Sequence, residues 1–422
     1  MLNRVKAFKN RISANKDGKA LASNFGYLMI MQIAGYIFPL LTIPYLARVI
    51  GVDGFGKIAF AAAVIVWFQT ITDWGFSYTA TRDVARNRDN LEKVSEIFSN
   101  VLWAKSLLAL ISFLILFVLT KFIPYLKENQ ILLFITFMLV PAKILFADWF
   151  FQALEKMKFI TIFDLISKAI FTVCIFLFVK EKSDFILQPL FLSLGSILVG
   201  IVSFYLIIFQ WKVEILPPKS KEIILTIKNS KDVFINNIVP NFYNSFSSIL
   251  LGFWGGSVAN GLLDAGTKFA GIAQQFIGII SRVFFPLLSR KSNQHHVYEK
   301  INIIVTVFST VFLIILAPYI IKFFFTPEFY ESILVLQIMA CSLIFLTLSN
   351  TYGLNYLIIH GYERLLRNIT ISSSIVGFLA CFPLIYFYGF LGAAITITLT
   401  RAILGLSIMY KAKYIQRRDL SK

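Results

Sequence analysis

Charge is in short supply in this sequence. Only 15% of its 422 residues are Asp, Glu, Lys or Arg, against about a quarter in a soluble domain of ordinary composition. That shortage sets aside an ordinary soluble domain. With 58% hydrophobic residues and a mean hydropathy of +0.75, the balance points to a membrane protein. Cysteine is scarce as well. Cys174, Cys341 and Cys381 all fall inside apolar runs without metal-ligand spacing, so they read as packing residues and not as a redox pair or metal site. The three histidines are no better placed: His295 and His296 are adjacent, unlike the i,i+4 pair of a helical zinc site, and His360 stands alone. No Walker-type phosphate loop is present, because GVDGFG (51–56) is a short turn between two apolar runs. ATP-driven transport by this chain alone is therefore not expected. Nor is there a paired-carboxylate or nucleophile–base constellation, and no enzyme activity or cofactor is expected.

Long polar segments are also missing. The longest break between apolar runs is about 22 residues, too short for the catalytic loop of a membrane-embedded polymerase or glycosyltransferase. The first 24 residues are polar and basic, with no short apolar core and cleavage site after them, so a cleaved signal peptide is not expected. Leu2, Val5, Phe8 and Ile12 share one face among basic residues there, which suits either a helix on an anionic membrane surface or a plain basic tail.

What the chain has in quantity is phenylalanine, 44 residues spread along its whole length, so one terminal anchor cannot explain the excess. A hydrocarbon core of ~30 Å takes about 20 helical residues to cross. Twelve apolar runs meet that length: 25–47, 57–79, 100–121, 131–152, 159–180, 185–210, 233–254, 260–285, 302–324, 332–356, 366–388 and 391–410. The apolar residues run continuously instead of alternating, which argues against an outer-membrane barrel. Twenty-seven of the 40 Lys and Arg fall in the two tails and the even-numbered loops, and seven in the odd-numbered loops. Positive residues are retained in the cytoplasm, so both termini are expected there. The net charge of +18 is thus a topology signal first, and no nucleic-acid partner is expected. The remaining six basic residues lie deeper: Lys105, Lys143, Lys168, Lys268, Arg282 and Arg401.

The break at 212–234, with Pro217, Pro218 and five lysines, divides the runs six and six. The expected fold is an all-α polytopic membrane protein of about 12 transmembrane helices in two six-helix lobes. A basic segment (1–24) precedes the first lobe (25–210), a cytoplasmic linker (211–232) leads to the second (233–410), and a basic tail (411–422) follows. A faint internal echo fits this plan: RVIGVDGFGKIAF (48–60) and GFWGGSVANGLLD (252–264) each put a glycine-bearing short loop after the first run of a half.

Charges inside apolar runs locate the candidate chemistry. On a helix, Asp264, Lys268, Gly271, Gln275, Gly278 and Arg282 fall within about 40° of one line that rises roughly 27 Å. Such a stripe is tolerable only against protein or water. A water-filled cavity accounts for it. So does an i,i+4 pair of Asp264 and Lys268 with Arg282 reaching to headgroups. In the preceding run, Asn237, Asn241, Asn244 and Ser248 recur at i, i+4, i+7 and i+11, suited to sugar hydroxyls or to holding helices together. Arg401, near the middle of the last run, needs an anionic ligand or a carboxylate such as Asp264 or Asp73. Asp73, four residues after Gln69, is a candidate cavity acid. Lys143 and Asp148 occur in LVPAKILFADWF beside Pro141, which is expected to kink that helix, and their spacing makes them poor mutual partners. Lys105 and Lys168 lie nearer run ends, where snorkelling is expected.

FPLLTIPYLARVIGVDGFGKIAFAAAVI, followed by DWGFSYTATRDVARNRDN, resembles the Wzx-type oligosaccharide flippases of bacterial surface-polysaccharide pathways. These are members of the multidrug/oligosaccharidyl-lipid/polysaccharide exporter superfamily. The resemblance rests on the proline-bearing first helix ending in PYLARVIG, the GFG turn, and the (T/S)xxRDxAxxRD loop, here Arg82, Asp83, Ala85, Arg88 and Asp89. Downstream, the similarity is in the number, length and grouping of spans. It implies a MATE-like, V-shaped pair of bundles with alternating access in the bacterial inner membrane. The implied substrate is a polyprenyl-pyrophosphate-linked oligosaccharide repeat unit, such as that of O-antigen. Membrane lipids, a polysaccharide polymerase and a chain-length regulator are the implied partners. On this reading Arg401, Lys268 and Arg282 meet pyrophosphate, and Asn237, Asn241, Asn244 and Gln275 meet sugar. Asp73 or Asp264 couples the movement to protons or sodium ions. A cation-coupled multidrug antiporter of the same superfamily is the alternative; the surplus of Lys and Arg over acid in the deep set tilts against it.

Overall fold

Hydrocarbon offers backbone groups no water to bond with, so a chain this apolar must close its hydrogen bonds within helices. The computed structural model describes residues 16–290 and 295–420, and among them it is helical throughout, without a strand. The proposed surface face at Leu2, Val5, Phe8 and Ile12 lies outside the described residues. Nine helical segments among the described residues are long and apolar enough to cross a membrane, which makes this a multi-pass membrane protein.

Three of the nine, Met29–Arg86, Ser220–Ser281 and Glu363–Arg418, are longer than a bilayer needs and carry an internal break. The breaks lie at Gly51 (φ 67°, ψ −178°), Gly256 (φ 75°, ψ −170°) and Gly389 (φ 53°, ψ −129°). Each glycine falls between two runs that the sequence separates. Gly51 and Gly256 are among the glycines of the internal echo, and their backbone angles nearly coincide. This corner of φ/ψ space is essentially closed to residues with a Cβ.

Contacts group the chain into two units. The first takes residues through Tyr45, Phe68–Lys180 and Ile186–Ile235. Its core is an aromatic nest in which Phe76, Phe98, Trp149, Phe150 and Phe151 are almost wholly buried. The chain after residue 212 is strapped to this unit. Ser99 Oγ donates to the Glu214 carbonyl (3.1 Å) and accepts from the Leu216 N–H (2.9 Å), and Trp103 donates to the Leu216 carbonyl (2.9 Å). The helix Ser220–Ile238 then docks through Trp74, whose indole donates to the Ile227 carbonyl at 3.0 Å and whose ring stacks on Phe234. Within this unit the run 130–153 is broken twice, at Met138 and at Phe146–Ala147, leaving Gln130–Phe137, Leu139–Leu145 and Asp148–Ala153. The first break sits one turn before Pro141, which lacks the N–H to bond back to Phe137. The second was not foreseen.

The second unit takes Leu46–Trp67, Glu181–Phe185 and the chain from Asn236 onward. Here small residues let backbones touch: a Cβ on Gly56 would strike the Ser257 carbonyl. The expected continuous span 233–254 is interrupted. Ser220–Ile238 ends in a tight turn at Val239–Phe242, and the next helix begins at Ser245, because Pro240 supplies no N–H.

Gly256→Ala and Gly389→Ala test the breaks. A methyl at either site meets no atom within 4 Å, so any loss is backbone strain alone. Each is expected to destabilise by ~1–3 kcal/mol, read as a lowered melting temperature of purified protein. Unchanged melting would refute the requirement for glycine.

Candidate functional site

The deep cations sort by what they touch. Lys168 pairs with Asp164 at 2.6 Å and Lys268 with Asp264 at 2.8 Å, both one helical turn apart. Lys105 pairs with Asp73 at 2.9 Å across helices, and Ser77 donates to the same carboxylate oxygen at 2.6 Å. The expected snorkelling of Lys105 and Lys168 is therefore corrected. The Lys105 side chain is only 7% exposed, and it meets a carboxylate from another helix that sequence spacing could not place beside it.

Arg401 differs. It lies in the helix Glu363–Leu420, is 9% exposed, and makes no ion pair among the described residues. Its Nη1 donates to Ser342 Oγ at 3.0 Å, the Tyr243 phenol lies within hydrogen-bonding reach of the guanidinium, and its Nε is buried with no acceptor. The carboxylates considered for it are engaged elsewhere, Asp264 by Lys268 and Asp73 by Lys105.

Beside Arg401, within the second unit, lies a cavity of about 240 Å³ whose polar lining includes Asn244, Ser248, Asp264, Thr267 and Gln274. Drug-sized sites span ~300–1,000 Å³, so this one admits a single small group and not an oligosaccharide. Lys268 neutralises Asp264, which leaves the Arg401 fork as the uncompensated charge. Neutral amides and hydroxyls around it are suited to oxyanion or sugar oxygens.

Of the residues singled out by sequence, Arg401, Asp264 and Asn244 meet at this cavity. Lys268 stands beside it, held by Asp264, its ammonium 5.5 Å from the Phe55 ring centre. Gln275 is exposed and is not part of the lining. Asn237 closes the helix before the break and Asn241 sits in the turn, so the stripe drawn through 237, 241, 244 and 248 is not one helical line. Asp73 belongs to the first unit. The side chain of Arg282 lies outside the described residues. On the helix after Gly256 the cavity face is Asp264, Thr267, Gly271 and Gln274. The sequence reading passed over Thr267 and left Gln274 without a role, although i, i+3, i+7, i+10 is as good a helical stripe as the one drawn. Ser342 gave no signal at all within its apolar run. Among the described residues no group of three or more His, Cys, Asp or Glu is placed to hold a metal ion.

Residues 21–292 match the family model described as "Polysaccharide biosynthesis protein". A protein of Escherichia coli (strain K12) named "Putative O-antigen transporter" is 26% identical over 406 residues, 94% of this chain and 98% of its own. One of the same name from Shigella dysenteriae is 28% identical over 400 residues, 93% of this chain and 100% of its own. Among solved structures, the lipid II flippase MurJ in an inward closed conformation superposes with a TM-score of 0.73 at 18% identity, over 93% of this chain and 87% of that one. An inward-facing MATE-family multidrug transporter gives 0.64 at 14% identity, over 89% and 94%. These structures establish the fold as MurJ- and MATE-like.

The two kinds of ion pair predict different costs. Asp264→Asn opens a pair that is partly exposed on both sides and should change stability by no more than about 1 kcal/mol. Asp73→Asn strands the buried Lys105 ammonium and should cost about 3–5 kcal/mol. Equal shifts in thermal unfolding of the two variants would contradict this ranking.

Proposed function

Since the chain belongs to the polysaccharide biosynthesis protein family, we propose that it is a flippase for lipid-linked saccharide. It turns a polyprenyl-pyrophosphate-linked repeat unit of O-antigen or another surface polysaccharide from the cytoplasmic to the outer leaflet of a bacterial inner membrane. The names of its relatives support the substrate class, and the MurJ-like fold supports the mode of movement, alternating access. The observation that carries the reading is Arg401, a buried guanidinium with one nitrogen unsatisfied beside a polar cavity. A charge in that setting costs several kcal/mol unless something answers it. A passing pyrophosphate does so, because the planar fork fits phosphate oxygens in pairs.

In the working cycle Arg401 is the anion contact, and Lys268 joins it when Asp264 is protonated or cation-bound. Arg282 extends the same helical line. Asn244 meets sugar hydroxyls, with Asn237, Asn241 and Gln275 as further sugar contacts outside the cavity lining, while the polyprenyl tail stays in lipid. Asp264 and Asp73, each holding a lysine at rest, are the groups through which protons or sodium ions couple to the movement. Both termini face the cytoplasm on this reading, and the delivered unit passes to a polymerase acting with a chain-length regulator.

The test is display of the polymer by cells that depend on this chain. A charge-assisted hydrogen bond is worth about 1.5–3 kcal/mol, so Arg401→Gln should lower export roughly tenfold or more. Arg401→Lys, which keeps charge without the fork, should recover part of it. Full export by an Arg401→Gln, Lys268→Gln double variant present at normal levels would reject the pyrophosphate role. Unchanged display with increased drug sensitivity in cells lacking the protein would favour the drug antiporter.

A further inference from the structure

One other deep cation has no acid on it. Lys143 makes no ion pair among the described residues, and it stands between the two breaks of the run 130–153. Just past the second break is its opposite. Asp148 accepts the backbone N–H of Trp149 at 2.8 Å and likewise makes no ion pair among the described residues. Both side chains are exposed. Lys105 and Asp73 from neighbouring helices face Asp148, and Lys143 from its own stretch faces both Asp148 and Asp73 without an ion pair to either. Lys105 is already committed to Asp73. The other helices packed on Asp148–Ala153 bring no competing partner: on Phe76–Arg86, Arg82 is exposed and bonded to Asp83 at 2.8 Å. On Met157–Phe178, Asp164 and Lys168 are closed on each other at 2.6 Å, and Lys158 is exposed. The cluster thus holds one closed pair, Asp73 with Lys105, and one open pair, Lys143 with Asp148.

An open pair in a spanning segment is an unusual arrangement, because two opposite charges at that depth gain most by closing. Their spacing already sets them on different sides of a helix, and at Phe146–Ala147 one helix ends and another starts between them. What the open pair can do follows from charge alone. The ammonium attracts an oxyanion, and the carboxylate beside it repels the same ion. Moving a proton from water onto an Asp148 oxygen cancels the repulsion and leaves the ammonium as net charge. Anion and proton then favour each other's binding by the same factor.

We propose that Lys143 and Asp148 form a proton-linked anion site, in which Lys143 holds a pyrophosphate diester as Asp148 takes up one proton. The site is separate from the Arg401 cavity and lies in the other unit. That the diester is a lipid headgroup rests on the function proposed above; the linkage itself does not.

The test uses full-length protein in detergent and UDP-glucose, a pyrophosphate diester whose charge is constant between pH 6 and pH 8. Calorimetry is run in buffers of different protonation heat. Binding is expected to weaken up to about tenfold per pH unit on the alkaline side, with one proton taken up per diester bound. Asp148→Asn should bind at pH 8 as tightly as the unaltered protein at pH 6, without proton uptake. Lys143→Gln should weaken binding tenfold or more at both pH values, whereas Arg401→Gln should keep the pH slope. A polyprenyl-pyrophosphate sugar in vesicles is the second ligand. A slope with either ligand supports the site, and a slope with the lipid alone assigns it to the headgroup. The unaltered protein binding both ligands equally at pH 6 and pH 8, with no proton uptake, overturns the proposal even if the variants fail to fold. Loss of polymer display by itself leaves the linkage standing, and a pH slope without export would instead overturn the transport reading.

Discussion

An ion in hydrocarbon must be answered, and that constraint organises this protein. Three of the deep lysines are closed on aspartates at 2.6 to 2.9 Å, so their charges are structural at rest. Arg401 and Lys143 are the described deep cations left without a carboxylate. The cost of leaving them so sets these two positions apart from the other polar stripes. A lysine on a partner one turn away costs the fold little; a guanidinium with an unsatisfied nitrogen is retained only if something else profits from it.

The same economy governs the backbone. Long helices satisfy their own hydrogen bonds, so each departure from helix inside a membrane segment needs a local cause. Glycine supplies it at 51, 256 and 389, where the torsions suit no other residue. Proline supplies it at 141 and 240 by withholding an N–H. These interruptions position the functional candidates. Pro240 turns the chain before Asn244, which joins the Arg401 cavity, and the break after Leu145 lies between Lys143 and Asp148. The π-helical stretch Ser349–Ile358 is a further departure; its Asn355 bonds to Ser281 and Tyr298, tying three helices of the second unit together.

Much of the fold was legible before any coordinates. Continuous apolar runs with basic residues on alternate sides require helices that cross, and the short glycine turns of the echo at 48–60 and 252–264 correspond to two breaks of nearly equal geometry. The candidate site was legible only in part. Asp264 and Arg401 announced themselves as charges in apolar surroundings. Thr267 and Ser342 did not, because a hydroxyl in a membrane helix is common and cheap. The asparagine stripe misled because a period drawn through Pro240 assumes the helix that the proline ends.

Sequence by itself determined that the chain spans a membrane many times, that glycine breaks separate neighbouring runs, and which charges lie within apolar runs. Those follow from local chemistry: hydropathy, missing N–H groups, backbone torsions open only to glycine. Tertiary structure alone decided which charges are spent. Asp73 meets Lys105 from 32 residues away, and Arg401 meets Ser342 from 59 away while meeting no acid. Coulomb energy depends on distance through space, and no spacing along the chain contains that distance.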